Sequence, residues 1–333
     1  MEHPVRPGRS SSEIPILRQA RDGKGSKVSD FEAIGLALAG FTLWVLADST
    51  IKLIGKSTLP AYEVIAFLGL FIVICLAAYA AIRGEIKLLW PANPRLQAVR
   101  SCLDLTNNLC VVIALRHVPL TLFYILVFTS PMVITILAAS FLGERIEFRR
   151  GLAIAAGFAG VVIAVNPFGA TRPGDWIGYG ACMVCVVCFS INMVWSRVLT
   201  RTNTAESLTM FSGVVMMIAG FGAMLWHAEP LTVRLLGALA ATGGFCALGG
   251  ICFFVALKHT SAANVSQYHY TQLVTGALVA YLVWHELPSV AMVLGGCLIV
   301  ASGLYIAFVA SRAGVLEQGT VCDSEGCCED DAQ

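Results

Sequence analysis

Arg100, Asp104 and Asn108 recur every four residues in a largely apolar stretch, with Asn107 beside Asn108. At about 3.6 residues per turn this spacing stacks them on one face of a helix. A polar stripe is expensive against hydrocarbon, so it is expected to face the interior of a bundle. Asp104, Asn107 and Asn108 are then candidate substrate contacts, with interhelical hydrogen bonding as the alternative. Arg100 reads as an anchor at the inner surface. A second polar face is formed by Asn264, Gln267, Tyr268, Thr271, Gln272 and Thr275, whose gaps of 3, 1, 3, 1 and 3 keep helical phase. His269 lies off that face and reads as a hydrogen-bonding strut, with a proton-linked switch as the alternative. Asp48 precedes Lys52 by four residues, the spacing of a helical ion pair. It is either half of a self-neutralising pair near the outer surface or a functional group at membrane depth. Tyr124 and Tyr268, with Trp44 and Trp195, could stack on a planar substrate or simply pack.

With Asn192 added, the candidate substrate-binding set is Trp44, Asp48, Asp104, Asn107, Asn108, Tyr124, Asn192, Gln267, Tyr268, Thr271 and Gln272. No catalytic set, metal site or cofactor is expected. Cys182, Cys185 and Cys188 recur every third residue, but no histidine or carboxylate joins them, and buried cysteine behaves as a small apolar residue. His269 has no carboxylate at helical spacing to make an intramembrane enzyme. No G-x-x-x-x-G-K-[ST] segment is present to bind ATP. His117 and His259 fall at corresponding run ends and read as loop structure, and Glu144 and Glu286 as ties for the connections that follow them.

The elements that must position these residues follow from composition. Of 333 residues, 57% are hydrophobic and 13% charged, against about a quarter charged in an average soluble domain. The charges crowd both ends and the short segments between apolar runs. Runs of about 20 residues match a hydrocarbon core about 30 Å thick. Ten spans can be read, near 33–54, 62–82, 97–116, 120–142, 151–167, 176–197, 206–226, 235–257, 264–284 and 288–310. The expected fold is an all-α polytopic membrane protein.

The spans repeat. Ala114-Leu115-Arg116-His117 is echoed by Ala256-Leu257-Lys258-His259, and Thr129, Ala138 and Glu144 meet Thr271, Ala280 and Glu286, all at an offset of 142 residues. At an offset of 145, Trp44, Lys52 and Lys56 meet Phe189, Arg197 and Arg201. Each half ends in a helix rich in small residues, with Gly151, Ala155 and Ala159 in one and Gly295, Gly296 and Gly303 in the other, which read as packing struts. An odd number of spans per copy turns the second copy upside down, giving ten transmembrane helices as two inverted five-helix repeats, the ground plan of many secondary transporters. The expected division is a cytosolic tail at 1–32, a first repeat at 33–168, a second at 176–310 and a cytosolic tail at 311–333. The N-terminal stretch has no apolar region followed by a cleavage site and does not read as a signal peptide. With both termini inside, 17 of the 22 Lys and Arg residues lie on the inner side, as the positive-inside rule asks.

Ala114-Leu115, Phe128-Thr129-Ser130-Pro131, Leu142-Gly143-Glu144-Arg145, Gly157 and Gly160 resemble the EamA domain of the drug/metabolite transporter superfamily. The second half repeats the pattern more loosely, with Glu286, Gly295 and Gly303. Val118-Pro119-Leu120 through Pro131 is most similar to the S-adenosylmethionine-uptake branch, whereas Ser266-Gln267-Tyr268-His269 matches no branch. The resemblance implies a ten-helix secondary transporter with a central substrate cavity. A small polar metabolite, amino-acid-like or S-adenosylmethionine-like, would cross by alternating access at a site built from spans 1, 3, 4, 6, 8 and 9. The alternatives are an exporter of drugs, riboflavin or nucleosides, or a non-transporting membrane sensor. The expected partners are a small-molecule substrate and the lipid bilayer, without nucleic acid and with a homodimer left open. The expected location is a bacterial inner membrane.

Overall fold

A run of apolar residues in hydrocarbon can satisfy its backbone N–H and C=O groups only by closing hydrogen bonds within itself, so it folds as a helix. The computed structural model describes residues 30–55, 57–142, 148–166, 175–259 and 268–325 and shows this outcome. In chain order come α1 (Asp30–Ile54), α2 (Ala61–Arg83), a short 3-10 turn at Ile86–Leu89, α3 (Pro94–His117), α4 (Leu120–Val127), α5 (Ser130–Leu142) and α6 (Phe148–Val165). The second half supplies α7 (Asp175–Leu199), α8 (Ala205–Met224), α9 (Val233–His259), α10 (Thr271–Trp284) and α11 (Val290–Glu325). Six helical stretches are long and apolar enough to cross a membrane, in α1, α2, α3, α7, α8 and α9. Leu120–Ile134, Gly151–Val165, Thr271–Trp284 and Val290–Ile306 are apolar but shorter. The protein is a nearly all-helical integral membrane protein. The N-terminal stretch up to residue 29, Lys56, Glu144, Asn264, Gln267, Cys327 and Cys328 lie outside the described residues. α11 runs on to Glu325, past the end expected for the tenth span near residue 310.

The helices pair across the two halves. α1 lies along α9 and α3 along α7, while α2 packs on α8, α4 on α10 and α6 on α11. An operation carrying the first five spans onto the second five exchanges the α1–α9 and α3–α7 contacts. It maps each of the other three pairs onto itself. The packing therefore obeys the pairing that the repeat in the sequence calls for.

The expected span 120–142 is broken. Pro131 has no N–H to give Val127, and its ring crowds that carbonyl, so the α-helical ladder cannot pass. The Ser130 hydroxyl bonds the Val127 oxygen instead, and Thr129 Oγ1 donates to the Leu126 oxygen at 2.8 Å. The chain crosses the gap on tighter bonds, Thr129 N to Leu126 O at 3.1 Å and Met132 N to Thr129 O at 3.0 Å. In the second half, α10 starts from the same kind of turn. Thr271 Oγ1 donates to the Tyr268 oxygen at 2.7 Å, and Gln272 N bonds His269 O at 3.0 Å. Thr129 and Thr271 are among the few identities between the repeats, and their hydroxyls do the same work in both.

Glycine permits the close approach of several helix pairs, among them α1–α9 and α6–α11. Along α1–α9, a Cβ on Gly40 would sit 3.1 Å from the Gly249 oxygen, and one on Gly249 would press 2.8 Å from the Trp44 ring. Along α6–α11, a Cβ on Gly160 would lie 2.8 Å from the Gly295 oxygen, so this pair is a packing strut as expected. Gly151 takes no part in it, having no neighbour within 4 Å of its would-be Cβ.

An ion pair ties the halves near one end of the bundle. Lys52 Nζ lies 2.7 and 2.8 Å from the two Glu286 oxygens and 4.8 Å from the centre of the Trp284 ring. Glu286 is turned toward Lys52 by a helix-ending turn, in which His285 takes a left-handed conformation (φ 54°) and Glu286 N bonds Ala280 O at 3.3 Å. Lys52 thus pairs with Glu286, so of the two readings of Asp48 the self-neutralising pair with Lys52 is the one set aside. Glu286 ties two halves together rather than a local connection.

Two outcomes follow. Gly295→Ala is expected to cost about 1–3 kcal/mol by overpacking, whereas Gly151→Ala is expected to be neutral, both read from thermal unfolding in detergent. Breaking the partly buried Lys52–Glu286 pair with Lys52→Met is expected to cost about 1–2 kcal/mol, between the limits for exposed and buried pairs. A double-mutant cycle with Glu286→Gln should show coupling of similar size.

Candidate functional site

A cavity opens where α1, α3, α4, α7, α8 and α9 converge, with the turn before α10 on its wall. It encloses about 1050 Å³ of non-atom space, part of it continuous with the outside. The breaks at Thr129 and Tyr270 flank it. Irregular backbone at membrane depth is tolerated where it is buried in protein or lines a cavity. Broken helices at corresponding places in two repeats are the structural signature of a transporter binding site.

Most of the expected site residues meet here. Trp44 and Asp48 reach the cavity from α1, Asp104, Asn107 and Asn108 from α3, and Tyr124 from α4. Asn192 of α7 and Gln272 of α10 complete the group. Tyr268 and Thr271 are not on its wall, since Thr271 spends its hydroxyl on the helix break. Gln267 lies outside the described residues. Gln272 is held by its own bond, Nε2 to the Phe41 oxygen at 3.2 Å.

Arg100 is a correction. It is not a surface anchor but is 2% exposed and lines the cavity. The reason is where α3 begins. Pro94 opens the helix, so Arg100 falls in its second turn, where α7 and α8 pack over it. Burying a guanidinium requires full use of its donors. Nε donates to Asn192 Oδ1 at 3.1 Å and Ser196 Oγ at 3.0 Å, and Nη1 donates to the Leu208 oxygen at 3.0 Å. Nη2 lies 3.6 Å from Asp104 Oδ2, and the guanidinium sits 5.1 Å above the Phe254 ring. Asp104 is further held by Asn192 Nδ2 at 3.1 Å and Asn108 Nδ2 at 3.5 Å. The four-residue stripe that set Asp104 apart in the sequence is therefore a connected network, bridging α3 to α7 and α8.

Asp48 stands apart from that network. Its Oδ2 accepts from the Tyr124 hydroxyl at 2.8 Å, and no basic side chain pairs with it among the described residues. The formal charges on the cavity wall are Arg100 against Asp48 and Asp104, leaving one negative charge in excess.

Other wall residues were not expected. Thr209, Ser212 and Met216 come from α8, and their spacing of three and four marks a helical face that could have been read. Phe189, Phe253 and Phe254 also line it, but an apolar aromatic in an apolar run carries no signal of its own. His269 is on the wall too, with its ring centre 5.0 to 5.2 Å from those of Phe41, Phe128 and Phe189. Among the cysteines, Cys185 Sγ points to Asn107 Oδ1 at 3.1 Å.

Comparison with known proteins agrees with this architecture. The chain is 27% identical over 283 residues to the pseudopaline exporter CntI of Pseudomonas aeruginosa, covering 81% of this chain and 96% of that protein. It is 22% identical over 284 residues to an S-adenosylmethionine uptake transporter of Rickettsia bellii, covering 84% and 95%. A riboflavin transporter of Brucella anthropi is 23% identical over 261 residues, covering 73% and 87%. A crystal structure at 19% identity superposes with a TM-score of 0.60, covering 86% of this chain and 99% of its own, which shows a shared fold. The model of the EamA-like transporter family matches residues 32–166 and again 176–308. Matched twice along most of its length, the chain belongs to the EamA-like transporter family.

Proposed function

We propose that the protein is a secondary transporter of a small polar metabolite bearing a cationic group, amino-acid-like or S-adenosylmethionine-like. The observation that carries this reading is a charged, aromatic-walled cavity set among apolar helices and flanked by two broken helices at repeat-related positions. Ten transmembrane helices would form two inverted five-helix repeats, at 33–168 and 176–310, rocking about the cavity in alternating access. Both termini would lie in the cytoplasm of a bacterial cell, with the protein in the inner membrane, an orientation supported by the excess of Lys and Arg on one side.

Each wall has a part in that reading. Asp48 and Tyr124 would receive a cationic group. Asp104, Asn107, Asn108, Asn192 and Gln272 would set orientation through hydrogen bonds, with Arg100 holding Asp104 and Asn192 in place. Trp44, Phe189, Phe253 and Phe254 offer ring faces to a planar part. Those ring faces also support a second reading, in which the substrate is a flat heterocycle such as riboflavin or a nucleoside. The relatives' named substrates, pseudopaline, S-adenosylmethionine and riboflavin, span both readings.

Reconstitution in liposomes tests this. Saturable counterflow of labelled S-adenosylmethionine or amino acids is expected, and chemical conversion of the solute would overturn the reading. Asp104→Asn and Gln272→Ala are each expected to reduce transport by about 10- to 100-fold, the equivalent of one or two lost polar contacts. Both variants should still insert in the membrane, and undiminished transport in both would remove them from the site. A reporter fused after Gln333 should read cytosolic, and a reading on the far side of the membrane would reverse the topology.

A further inference from the structure

We propose that Asp48 is an exchange site, holding a proton when the cavity is empty and a cationic substrate group when it is loaded, so that the carrier swaps one proton for one monocation. This rests on the transporter reading above and adds its coupling ion.

The argument begins from two carboxylates in one cavity with different surroundings. Asp104 has the Arg100 guanidinium at 3.6 Å and amide donors from Asn108 and Asn192. It is compensated whether or not a ligand is present. Among the described residues Asp48 has one neutral donor, the Tyr124 hydroxyl. The nearest basic residue along its helix, Lys52, is held by both oxygens of Glu286. The groups facing Asp48 from the packed elements bring no positive charge to it. They are Tyr124 of α4, Cys185 of α7 and Cys246 of α9, with the neutralised Arg100–Asp104 pair on α3 and His269, stacked among phenylalanines, ahead of α10.

An ion deep in a protein is costly unless paired, and one left unpaired takes up a counter-charge or a proton. Either partner leaves the cavity wall neutral overall. A bare Asp48 would have to move between the two faces as an uncompensated charge, so the neutral forms are the ones that reorient. The Trp44 and Phe253 rings, packed on one another with centres 4.9 Å apart, lie on the same wall and give it aromatic surface of the kind that attracts a cation.

The balance over one cycle is simple. On one side the carboxyl releases its proton to water as the cation pairs with the carboxylate. The loaded carrier reorients and the cation leaves. A proton from that second side then binds the same oxygen pair, and the protonated carrier returns. One positive charge crosses in each direction, so exchange of a monocation is electroneutral.

Full-length protein in liposomes decides the matter, with S-adenosylmethionine, a net monocation, as the probe. A gradient of one pH unit should sustain about a tenfold concentration ratio of the probe, and a potassium diffusion potential with valinomycin should sustain none. Accumulation driven by the potential without a pH gradient would overturn the proposal. Asp48→Asn should abolish the response to the pH gradient, and a retained response would also overturn it.

Infrared difference spectra of the purified empty protein need no substrate. Wild type minus Asp48→Asn should show a protonated-carboxyl stretching band that shifts in heavy water and moves again in Tyr124→Phe. Absence of the band overturns the proposal even if transport is found. Its presence, with S-adenosylmethionine not moved by wild type, upholds the proton site and sinks only that choice of substrate.

Discussion

The demand that no backbone N–H or C=O be left unpaired away from water governs this molecule more than any side-chain contact. It explains why nearly every described residue is helical, and it makes the two interruptions at Phe128–Thr129 and His269–Tyr270 informative. Each is held by a threonine hydroxyl that returns to a carbonyl three residues back. At the first break a neighbouring helix adds to this, Ser190 Oγ of α7 donating to the Ser130 oxygen at 3.4 Å. α4, only eight residues long and buried throughout, exists as a separate element because of this local chemistry.

The same demand, applied to charge, shapes the cavity. Arg100 is buried only because α7 brings Asn192 and Ser196, and α8 its Leu208 carbonyl, to meet it. That network fixes three helices from both halves around one guanidinium. The part of the wall around Asp48, Tyr124 and the ring faces lies outside that network.

The sequence made the helices legible because hydropathy and length suffice to find them. It made the repeat legible through residues with a task in both halves, Thr129 and Thr271 above all. Polar phase on α3 pointed to the inward face on which Asp104, Asn107 and Asn108 line the cavity. Other features were hidden for physical reasons. Arg100 looked like an anchor because its partners, Asn192, Ser196 and the Leu208 carbonyl, come from helices some 90 to 110 residues away. Lys52 looked like a partner for Asp48 because helical spacing shows only local pairs, whereas Glu286 reaches it from 234 residues away. Thr271 kept helical phase with the polar face, but its hydroxyl was committed to the backbone.

The two interfaces exchanged by the repeat are built from different materials. α1 meets α9 mainly through Gly40 and Gly249, backbone against backbone and ring, with a neutral hydroxyl pair, Thr50 to Thr242 at 2.6 Å, beside them. α3 meets α7 through the hydrogen bonds of Arg100, Asp104 and Asn192. Separating the first forfeits dispersion contacts; separating the second exposes a guanidinium and a carboxylate that water can rehydrate. The two interfaces therefore answer differently to temperature and to salt.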